Sequence, residues 1–259
     1  MKLEKPTARD QFSKVAENYL TSKAHDRPEA LAHLVRLVDR PGGTIVDVGT
    51  GAGLTAYAFA PFVDEVIAVD LTPEMLEIVE REAVQRGHHN ISTKLADAER
   101  MPFSPESVDG VVTRMAAHHF TDVEKFVSEC ARILKPGGWF AIVDTVGTED
   151  EETTKAIDRI ETLRDPSHMH DLRPSEWREL VESAGFRVRS ADVYPKDIDL
   201  EDWFTRMKVG DEIASGLRRD ILESTGLLRD YLNPVVIQGR WVFHLHEMTL
   251  IVDKMRSSA

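Results

Sequence analysis

The chain has 259 residues, of which 42% are hydrophobic, and its formal net charge is −13. This length is enough for one well-buried α/β domain, with or without a cap, and the acidic surface disfavours nucleic acid as a partner. The one cysteine, Cys130, excludes an internal disulfide. No apolar run approaches the roughly 20 residues of a membrane span, and the polar N-terminus lacks the apolar core of a signal peptide. We therefore expect a cytoplasmic protein with no membrane span.

The first predicted elements lead into a glycine-rich turn. Residues 1–27 are polar with scattered aromatic side chains, and Pro28 to Val38 has the apolar spacing of a helix. Thr44 to Val48 is then a short apolar strand, and the sequence GTGAG follows it directly. Because glycine lacks a Cβ, the backbone at Gly49 and Gly51 can adopt positive φ and let a ligand come close.

A second apolar strand ends on an acidic residue, Asp70. An ionised carboxylate only accepts hydrogen bonds and a ribose diol can donate two, so this arrangement suits a nucleoside pocket at the carboxyl edge of a parallel sheet. The spacing from Asp47 is D-x-G-x-G-x-G, with Leu54 in place of the third glycine of the dinucleotide fingerprint. The turn carries no Lys or Arg for a pyrophosphate, and the chain has no G-x-x-x-x-G-K-[ST] motif for a triphosphate. The pattern therefore indicates a nucleoside cofactor other than a dinucleotide.

Strands and helices continue to alternate after Asp70. Thr72 is a predicted helix cap followed by Pro73, and this helix reaches about Arg86 before it stops at Gly87. The further predicted elements are strands at residues 93–96, 108–112 and 139–144, and a helix that opens at the capping box Thr121-x-x-Glu124 and closes at Lys135-Pro136-Gly137-Gly138. This alternation predicts a parallel sheet with crossover helices.

The pattern changes beyond residue 145. Pro174 starts a helix that Gly185 ends, and two final strands are predicted at residues 186–194 and 241–252. Residues 197–232 lie between these strands and are helical and amphipathic, with no strand partner of their own. We interpret them as an insertion that packs over the active-site edge of the sheet.

Four motifs carry a resemblance to a known family. In chain order they are IVDVGTGAG, VIAVDLTPEML, LADAERMPF and KPGGWFAIVD. Together they resemble the class I S-adenosylmethionine-dependent methyltransferases, and within them the branch that includes the ubiquinone- and menaquinone-biosynthesis enzymes. The resemblance implies an α/β, Rossmann-like fold with a seven-stranded, mostly parallel sheet and helices on both faces. It also implies an antiparallel last strand with a helical insertion before it.

The resemblance further implies a division of the chain and a reaction. We expect one methyltransferase domain over residues 1–259, in which residues 1–27 are a lid and residues 28–145 are the cofactor-binding core. Residues 146–259 would form the C-terminal half, with the acceptor-side insertion at about residues 197–232. The implied reaction is direct in-line transfer of a methyl group from S-adenosyl-L-methionine to a small-molecule acceptor, which leaves S-adenosyl-L-homocysteine.

The cofactor contacts implied by the resemblance lie at the ends of the predicted strands. Asp70 would hold the ribose hydroxyls, Leu71 and Met75 would flank the adenine, and Asp97 would accept a hydrogen bond from the adenine amino group. The alternative for Asp97 is a turn residue without a ligand. The expected cofactor-binding residues are Tyr19, Asp47, Gly49, Thr50, Gly51, Asp70, Leu71, Met75, Asp97, Ala98 and Arg114.

The segment RMAAHHF, residues 114–120, follows the fourth strand. In the family this segment runs beneath the reacting methyl group. His118 is the catalytic candidate, because histidine can act as a base near neutral pH. The alternative is that His118 only lines the acceptor pocket. We expect His119 to face the scaffold.

Two further groups of residues are open to more than one interpretation. Trp203 and Met207 are either core residues or part of a lid over a mainly apolar acceptor pocket. His168 and His170, in the sequence DPSHMH, suggest a metal. Without a Cys or Glu-x-x-His partner nearby, we expect capping or acceptor binding instead, and no metal.

Two other functions stay open at this point. One is a methyltransferase acting on a protein or nucleic acid, which the acidic balance and the lack of an Asp-Pro-Pro-Tyr-like motif after the fourth strand disfavour. The other is a non-catalytic S-adenosylmethionine-binding protein. The acceptor, the methylated atom (O, N or C) and the oligomeric state, including a homodimer, are not determined by the sequence.

Overall fold

Eight strands form one sheet in the computed structural model, which describes residues 28–39 and 41–256 and the separate residues 9, 11 and 13. The strands are β1 (Thr44–Val48), β2 (Glu65–Asp70), β3 (Ile91–Leu95), β4 (Val108–Arg114), β5 (Leu134–Thr145), β6 (Phe186–Asp199), β7 (Val235–Ile237) and β8 (Arg240–Lys254). The helices are α1 (Pro28–Val38), α2 (Leu54–Phe59), α3 (Pro73–Arg86), α4 (Val123–Ile133), α5 (Glu151–Arg164), α6 (Pro174–Ser183), α7 (Leu200–Arg206), α8 (Asp211–Leu222) and α9 (Gly226–Leu232). Single 3₁₀ turns lie at Ala60–Phe62 and Ala117–His119.

The strand order confirms the predicted fold class. It runs β3-β2-β1-β4-β5-β8-β6, with β1 to β5 paired in parallel. Strand β8 is inserted between β5 and β6 and is antiparallel to both. From β1 the chain adds β2 and β3 on one side of the sheet and then β4 and β5 on the other, so the strand order reverses between β1 and β4. In open sheets of this kind, ligands bind outside the carboxyl ends of the strands at such a reversal.

The eighth strand is a difference from the predicted seven. Strand β7 has three residues and pairs only with β8. Gln238 and Gly239, which connect the two strands, have φ values of 50° and 78°. Two consecutive residues with positive φ are typical of the type I′ turn of a tight hairpin. Because Gln-Gly is not one of the usual dipeptides of this turn, the hairpin has little signal in the sequence.

Helices cover both faces of the sheet, as predicted. On one face α1, α2 and α3 contribute buried side chains such as Leu34, Phe59 and Val79 to a core against the strands. On the other face α4 and α6 contribute Phe126 and Trp177 to a second core. Burial on both faces explains why the central strands are mostly apolar in sequence.

A third cluster joins the insertion to the strand ends. Helices α7, α8 and α9 pack with α5 against β8, and their shared core includes Trp203, Leu217 and Phe243. The predicted helical insertion is thereby confirmed as α7 to α9. Helix α5 was not predicted, because its buried face contains Thr153, Thr154 and Glu161 beside two isoleucines, so its apolar periodicity is weak.

The ends of the other elements mostly agree with the sequence. Helix α3 begins at Pro73 and ends before Gly87, which has a φ of 74°. Helix α4 is capped by Asp122, whose side chain accepts a hydrogen bond from Lys125 N, so the prediction of Thr121 as the cap is wrong by one residue. Among the described residues no helix is long and apolar enough to cross a membrane. The interpretation of residues 1–259 as one domain stays a prediction.

Candidate active site

A cavity of about 290 Å³ lies at the carboxyl ends of β1 to β4, and we call it the large cavity. Its position is that of the expected ligand crevice of the sheet. The volume is close to the lower end of the roughly 300–1,000 Å³ of small-molecule sites. The residues that line it include Gly49, Gly51, Asp70, Leu71, Thr72, Met75, Asp97, Ala98, Glu99, Met115, Ala116, His119, Phe120 and Thr121.

The glycines of the turn after β1 are required for two different reasons. Gly49 and Gly51 both have positive φ, 66° and 53°. A Cβ on Gly49 would lie 2.5 Å from the Cβ of Ala116, so this glycine permits close packing of the turn against the segment after β4. A Cβ on Gly51 would meet no heavy atom within 4 Å, because this glycine faces open space. A ligand can therefore approach the backbone at Gly51.

Asp47 and Thr50 stabilise the turn after β1 through hydrogen bonds and do not line the large cavity. The Thr50 hydroxyl donates to Asp47 Oδ2 at 2.6 Å, and Thr50 N donates to Val69 O at 3.0 Å. Asp47 is 1% exposed. Burial raises the pKa of Asp47 to about 6, against the opposing effects of the Thr50 hydrogen bond and the Arg114 charge. These two residues order the turn, and a direct contact with the cofactor stays a prediction.

Asp70 lies at the large cavity with its carboxylate fixed by the backbone. Oδ2 accepts from Gly51 N and Oδ1 accepts from Thr72 N, both at 2.9 Å. Burial raises the pKa of Asp70, although both hydrogen bonds oppose this effect. Each carboxylate oxygen can accept a second hydrogen bond. The fixed carboxylate is therefore oriented to accept from a diol.

The apolar wall of the large cavity lies beside Asp70. Met75 is 2% exposed, Ala98 is also buried, and Leu71 is 41% exposed. Asp97 is exposed at the cavity edge, and its Oδ1 accepts from Glu99 N at 2.9 Å. Asp97 thus forms a turn and also lines the large cavity, and its contact with the adenine stays a prediction.

Of the remaining expected cofactor residues, one lies outside the described part of the chain and one does not line the large cavity. Tyr19, with the predicted lid, lies outside the described residues. Arg114 lines a different cavity of about 40 Å³, together with Tyr194, Lys196 and Glu247. The next residue, Met115, has a φ of 54°, a left-handed conformation that is uncommon for residues other than glycine. The backbone turns sharply at this point, and sequence spacing alone did not indicate which side chains face the crevice.

His118 lines a second cavity of about 60 Å³, which we call the small cavity. Its Nδ1 lies 2.5 Å from Asp144 Oδ1, and its backbone N donates to Asp144 Oδ2 at 3.1 Å. Burial acts to lower the pKa of His118, but the charge and the hydrogen bond of Asp144 outweigh it and raise the pKa. Asp144, near the carboxyl end of β5, thus holds the His118 ring. Asp144 is not among the residues predicted for the site.

His119 lines both cavities, so the expectation that it faces the scaffold is wrong. Its Nδ1 lies 3.2 Å from Ser167 O and 3.3 Å from Ser167 Oγ. Because Ser167 Oγ donates its own proton to Asp165, both Ser167 oxygens accept, and the proton of His119 is on Nδ1. Burial and the neighbouring charge of His118 lower the pKa of His119 well below its usual value. A neutral His119 therefore has its lone pair on Nε2.

The small cavity is largely polar, whereas the sequence predicts a mainly apolar acceptor pocket, and that expectation stays a prediction. Trp203 lines it, whereas Met207 does not, although both side chains are buried in the insertion. Lys196 Nζ forms an ion pair with Glu247 at 3.0 Å beside it. The residues that line the small cavity are Met115, His118, His119, Thr145, Glu161, Arg164, Asp165, Lys196, Ile198, Trp203, Arg206 and Leu245.

The segment of residues 165–171 packs against His118 and His119 and forms hydrogen bonds with both. The backbone N of Met169 donates to His118 O at 2.9 Å, and Thr145 Oγ1 donates to Asp171 Oδ1 at 2.6 Å beside the His118 ring. His168 Nε2 lies 3.0 Å from Asp158 Oδ1 on α5. The histidines of this segment stand out in the sequence, but Asp158 does not, because it belongs to the unpredicted helix.

Comparison with known proteins identifies the family. A family model described as a methyltransferase domain matches residues 46–142. The uncharacterized methyltransferase YcgJ of Bacillus subtilis (strain 168) is 36% identical over 196 residues, which cover 75% of this chain and 78% of that protein. This chain belongs to the class I S-adenosylmethionine-dependent methyltransferases. The predicted resemblance is therefore confirmed.

Two further similarities agree with this family. The crystal structure of the YcgJ protein matches with a TM-score of 0.83 and 29% identity, covering 89% of this chain and 100% of that one. A ubiquinone biosynthesis O-methyltransferase of Coxiella burnetii (strain RSA 331 / Henzerling II) is 26% identical over 190 residues, 69% of this chain and 80% of that protein. The methyltransferase therefore shares its fold with the YcgJ protein, and the proteins similar to it include a ubiquinone-biosynthesis enzyme.

Proposed function

We propose that this methyltransferase binds S-adenosyl-L-methionine in the large cavity and transfers the methyl group to a small, polar molecule in the small cavity. The observation that carries the proposal is the wall between the two cavities, where Met115 and His119 line both. A donor and an acceptor that meet at this wall would be held together and away from water, which is what methyl transfer requires of a protein.

The residues of the large cavity fit the cofactor. Gly51 leaves room for the methionine part, and the Asp70 oxygens keep acceptor capacity for the ribose hydroxyls. Met75 and Ala98 offer the buried apolar surface that an adenine ring needs. When bound, S-adenosylmethionine supplies a methyl group already activated on a sulfonium. The chain's own residues then have to bind, orient and exclude water.

The size and polarity of the small cavity support a small, polar acceptor. A cavity of about 60 Å³ suits part of a metabolite better than a folded macromolecular surface. Histidines, carboxyl groups and basic side chains line it, and Lys196 and Glu247 keep a buried ion pair at its edge. A purely apolar acceptor would displace water from these polar side chains and form no hydrogen bonds with them in return, which is unfavourable.

His119 is our choice for the residue that accepts a proton from the acceptor. It borders both cavities, and its lowered pKa keeps Nε2 unprotonated at neutral pH. The raised pKa of His118 favours its protonated form, in a pair with Asp144. We therefore assign His118 a positioning role beneath the acceptor, while its earlier assignment as the catalytic residue stays an alternative that kinetics can test.

Calorimetry with S-adenosylmethionine, S-adenosylhomocysteine and NAD tests the cofactor assignment. We expect binding of the first two and none of NAD. Methyl transfer is then followed by mass spectrometry over a panel of small phenols, amines and carboxylic acids. Binding of NAD without binding of either sulfur compound would contradict the proposal, and so would sulfonium binding without turnover of any acceptor in an otherwise folded protein.

The matched variants His119→Gln and His118→Gln test the choice of base. If His119 is the base, His119→Gln lowers kcat by about 10²–10⁴-fold with nearly unchanged cofactor affinity. A base must be unprotonated to accept a proton. Because the pKa of His119 is lowered, kcat/KM should decrease only at a pH well below 6.5 and should be constant around neutrality. With His118 as base, the raised pKa shifts this fall above pH 6.5. A rate that climbs through pH 7–8 and is lost in His118→Gln would overturn the assignment.

A further inference from the structure

Asp158, His168 and Asp171 form a cluster beside the two cavities, and we call it the α5 cluster. Each offers one ligand atom, and these three atoms all lie within 4.8 Å of one another. His168 and Asp171 are buried, and Asp158 is partly buried. None of the three lines the large or the small cavity.

The spacing of the α5 cluster suits a single metal ion. His168 Nε2 and Asp158 Oδ1 are 3.0 Å apart. Nitrogen and oxygen ligands bind Zn²⁺ at about 2.0–2.2 Å, so ligand atoms around one ion lie roughly 3–4 Å from each other. An ion can therefore reach all three side chains after small movements.

Unpartnered oxygens next to the cluster are a second, independent observation. Asp171 Oδ2 has no hydrogen-bond partner among the described residues, although Asp171 is 0% exposed. Glu161 Oε2, one turn after Asp158 on α5, is in the same situation and its residue is 7% exposed. A buried carboxylate oxygen without a donor or a cation is costly. The two carboxyl groups interact with each other, so either a shared cation or a shared proton would satisfy both oxygens.

The second ring nitrogen of His168 faces one of these oxygens. His168 Nδ1 lies 4.0 Å from Glu161 Oε2. Histidines that bind a metal through one nitrogen usually donate the N–H of the other nitrogen to a carboxylate. With its proton on Nδ1, His168 would give Glu161 Oε2 a donor and present the lone pair of Nε2 to the ion. The hydrogen bond from Nε2 to Asp158 would be replaced by a shared metal.

We propose that Asp158, His168 and Asp171 bind one divalent transition-metal ion, for which Zn²⁺ and Mn²⁺ are the probes. One imidazole with two carboxylates combines the ligand types that these ions prefer. The ion ties α5 to the segment of residues 165–171, on which the His118 and His119 turn rests through Met169 and Ser167. Its role is structural, and it does not depend on the function proposed for the cavities.

Metal titration of the tag-free full chain tests the proposal. The protein is treated with a chelator, dialysed and titrated with Zn²⁺, Mn²⁺ and Ca²⁺, and bound metal is counted by elemental analysis. We expect one Zn²⁺ or Mn²⁺ per chain, weaker Ca²⁺ binding, and a higher Tm with the ion. Asp158→Asn, His168→Gln and Asp171→Asn should each weaken binding about tenfold or more.

His244→Gln is the matched control, because His244 forms a comparable pair with the exposed Asp197 at 3.1 Å on another part of the surface. It should leave metal binding unchanged. The Asp171→Asn variant should keep the Tm of the metal-free protein, because asparagine can still accept from Thr145, while losing the rise in Tm on metal addition. Cofactor affinity in all variants should stay within twofold of the parent chain, which separates this result from the function of the cavities.

Two outcomes would overturn the metal site. One is no stoichiometric binding of either ion. Stabilisation of the metal-free protein by Glu161→Gln would then show that Glu161 and Asp171 share a proton instead of a cation. The other is binding that survives in Asp158→Asn and His168→Gln but falls in His244→Gln, since the ion would then be bound at the surface.

Discussion

The large and the small cavity are neighbours, but the chain builds them in different ways. Most of the large cavity comes from residues that directly follow β1, β2, β3 and β4, so each contribution is local in sequence. The small cavity combines positions from Met115 to Leu245, which come from strands, from α5 and from the insertion. A site of the first kind is visible as motifs, whereas a site of the second kind depends on tertiary packing.

The two cavities also differ in what holds their polar groups. In the large cavity, backbone N–H groups fix the Asp70 carboxylate. At the small cavity, side chains fix one another: Asp144 holds His118, Ser167 holds His119, and Lys196 pairs with Glu247. Backbone support tolerates many sequences, but side-chain networks require particular partners. Substitutions on the small-cavity side should therefore have the more varied consequences.

The largest expected effect concerns the insertion beside the small cavity. Trp203 is 2% exposed and Met207 is 5% exposed, but only Trp203 lines the cavity. Trp203→Ala should lower the free energy of unfolding by about 3–5 kcal/mol and Met207→Ala by about 2–5 kcal/mol, measured by denaturant titration. The milder pair Trp203→Phe and Met207→Leu separates packing from binding.

In this milder pair, only Trp203→Phe should change the KM values over the acceptor panel. Cofactor affinity should be unaffected in both variants, because neither residue lines the large cavity. If both variants lose stability and keep the parent acceptor profile, Trp203 is a core residue only. The acceptor would then be bound by residues of the small cavity outside α7.

The contrast explains what the sequence could and could not predict. The ends of β1 and β2, the cap and stop of α3, and the positions of Gly51, Asp70 and Met75 all depend on local chemistry, and the motifs indicated them. The roles of His118 and His119 depend on the backbone at Met115, where φ is 54°. No sequence rule would place a methionine in a left-handed conformation, since this conformation is unfavourable for it.

Helix α5 gives the second reason for missed residues. Its polar buried face removes the periodic signal of a helix, so Asp158 and Glu161 were not recognised as neighbours of His168. The lack of a metal-ligand motif next to His168 in the sequence therefore does not show which side chains lie next to it in the structure. The strong local motifs explain why residues of the large cavity were predicted. The weak periodicity of α5 explains why residues near the small cavity were missed.

A smaller effect is expected from the acidic residues of the large cavity. Asp70→Ala removes a carboxylate that we assign to the ribose, so cofactor binding should weaken by about 1.5–3 kcal/mol, the range for hydrogen bonds to charged groups. Asp97→Ala removes an exposed carboxylate that already accepts from Glu99 N, and about 0.5–1.5 kcal/mol is expected. Calorimetry with S-adenosylhomocysteine measures both, with Tm as the folding control. An equal loss in the two variants would remove the special role of Asp70.

The smallest effect isolates the approach of the ligand to the glycine turn. Gly51 and Gly87 both have positive φ, 53° and 74°, and neither has a heavy atom within 4 Å of a Cβ position. Replacing either by alanine should cost about 1–2 kcal/mol of stability, because a left-handed conformation is unfavourable for any residue with a Cβ. Gly87, at the end of α3, does not line the large cavity, so Gly87→Ala should bind the cofactor as the parent chain does. Gly51→Ala places a methyl group where the ligand is proposed to approach. Its affinity for the cofactor should therefore be lower than that of Gly87→Ala, although the two variants lose similar stability. Equal cofactor affinity in the two variants would show that the backbone at Gly51 is not a contact surface.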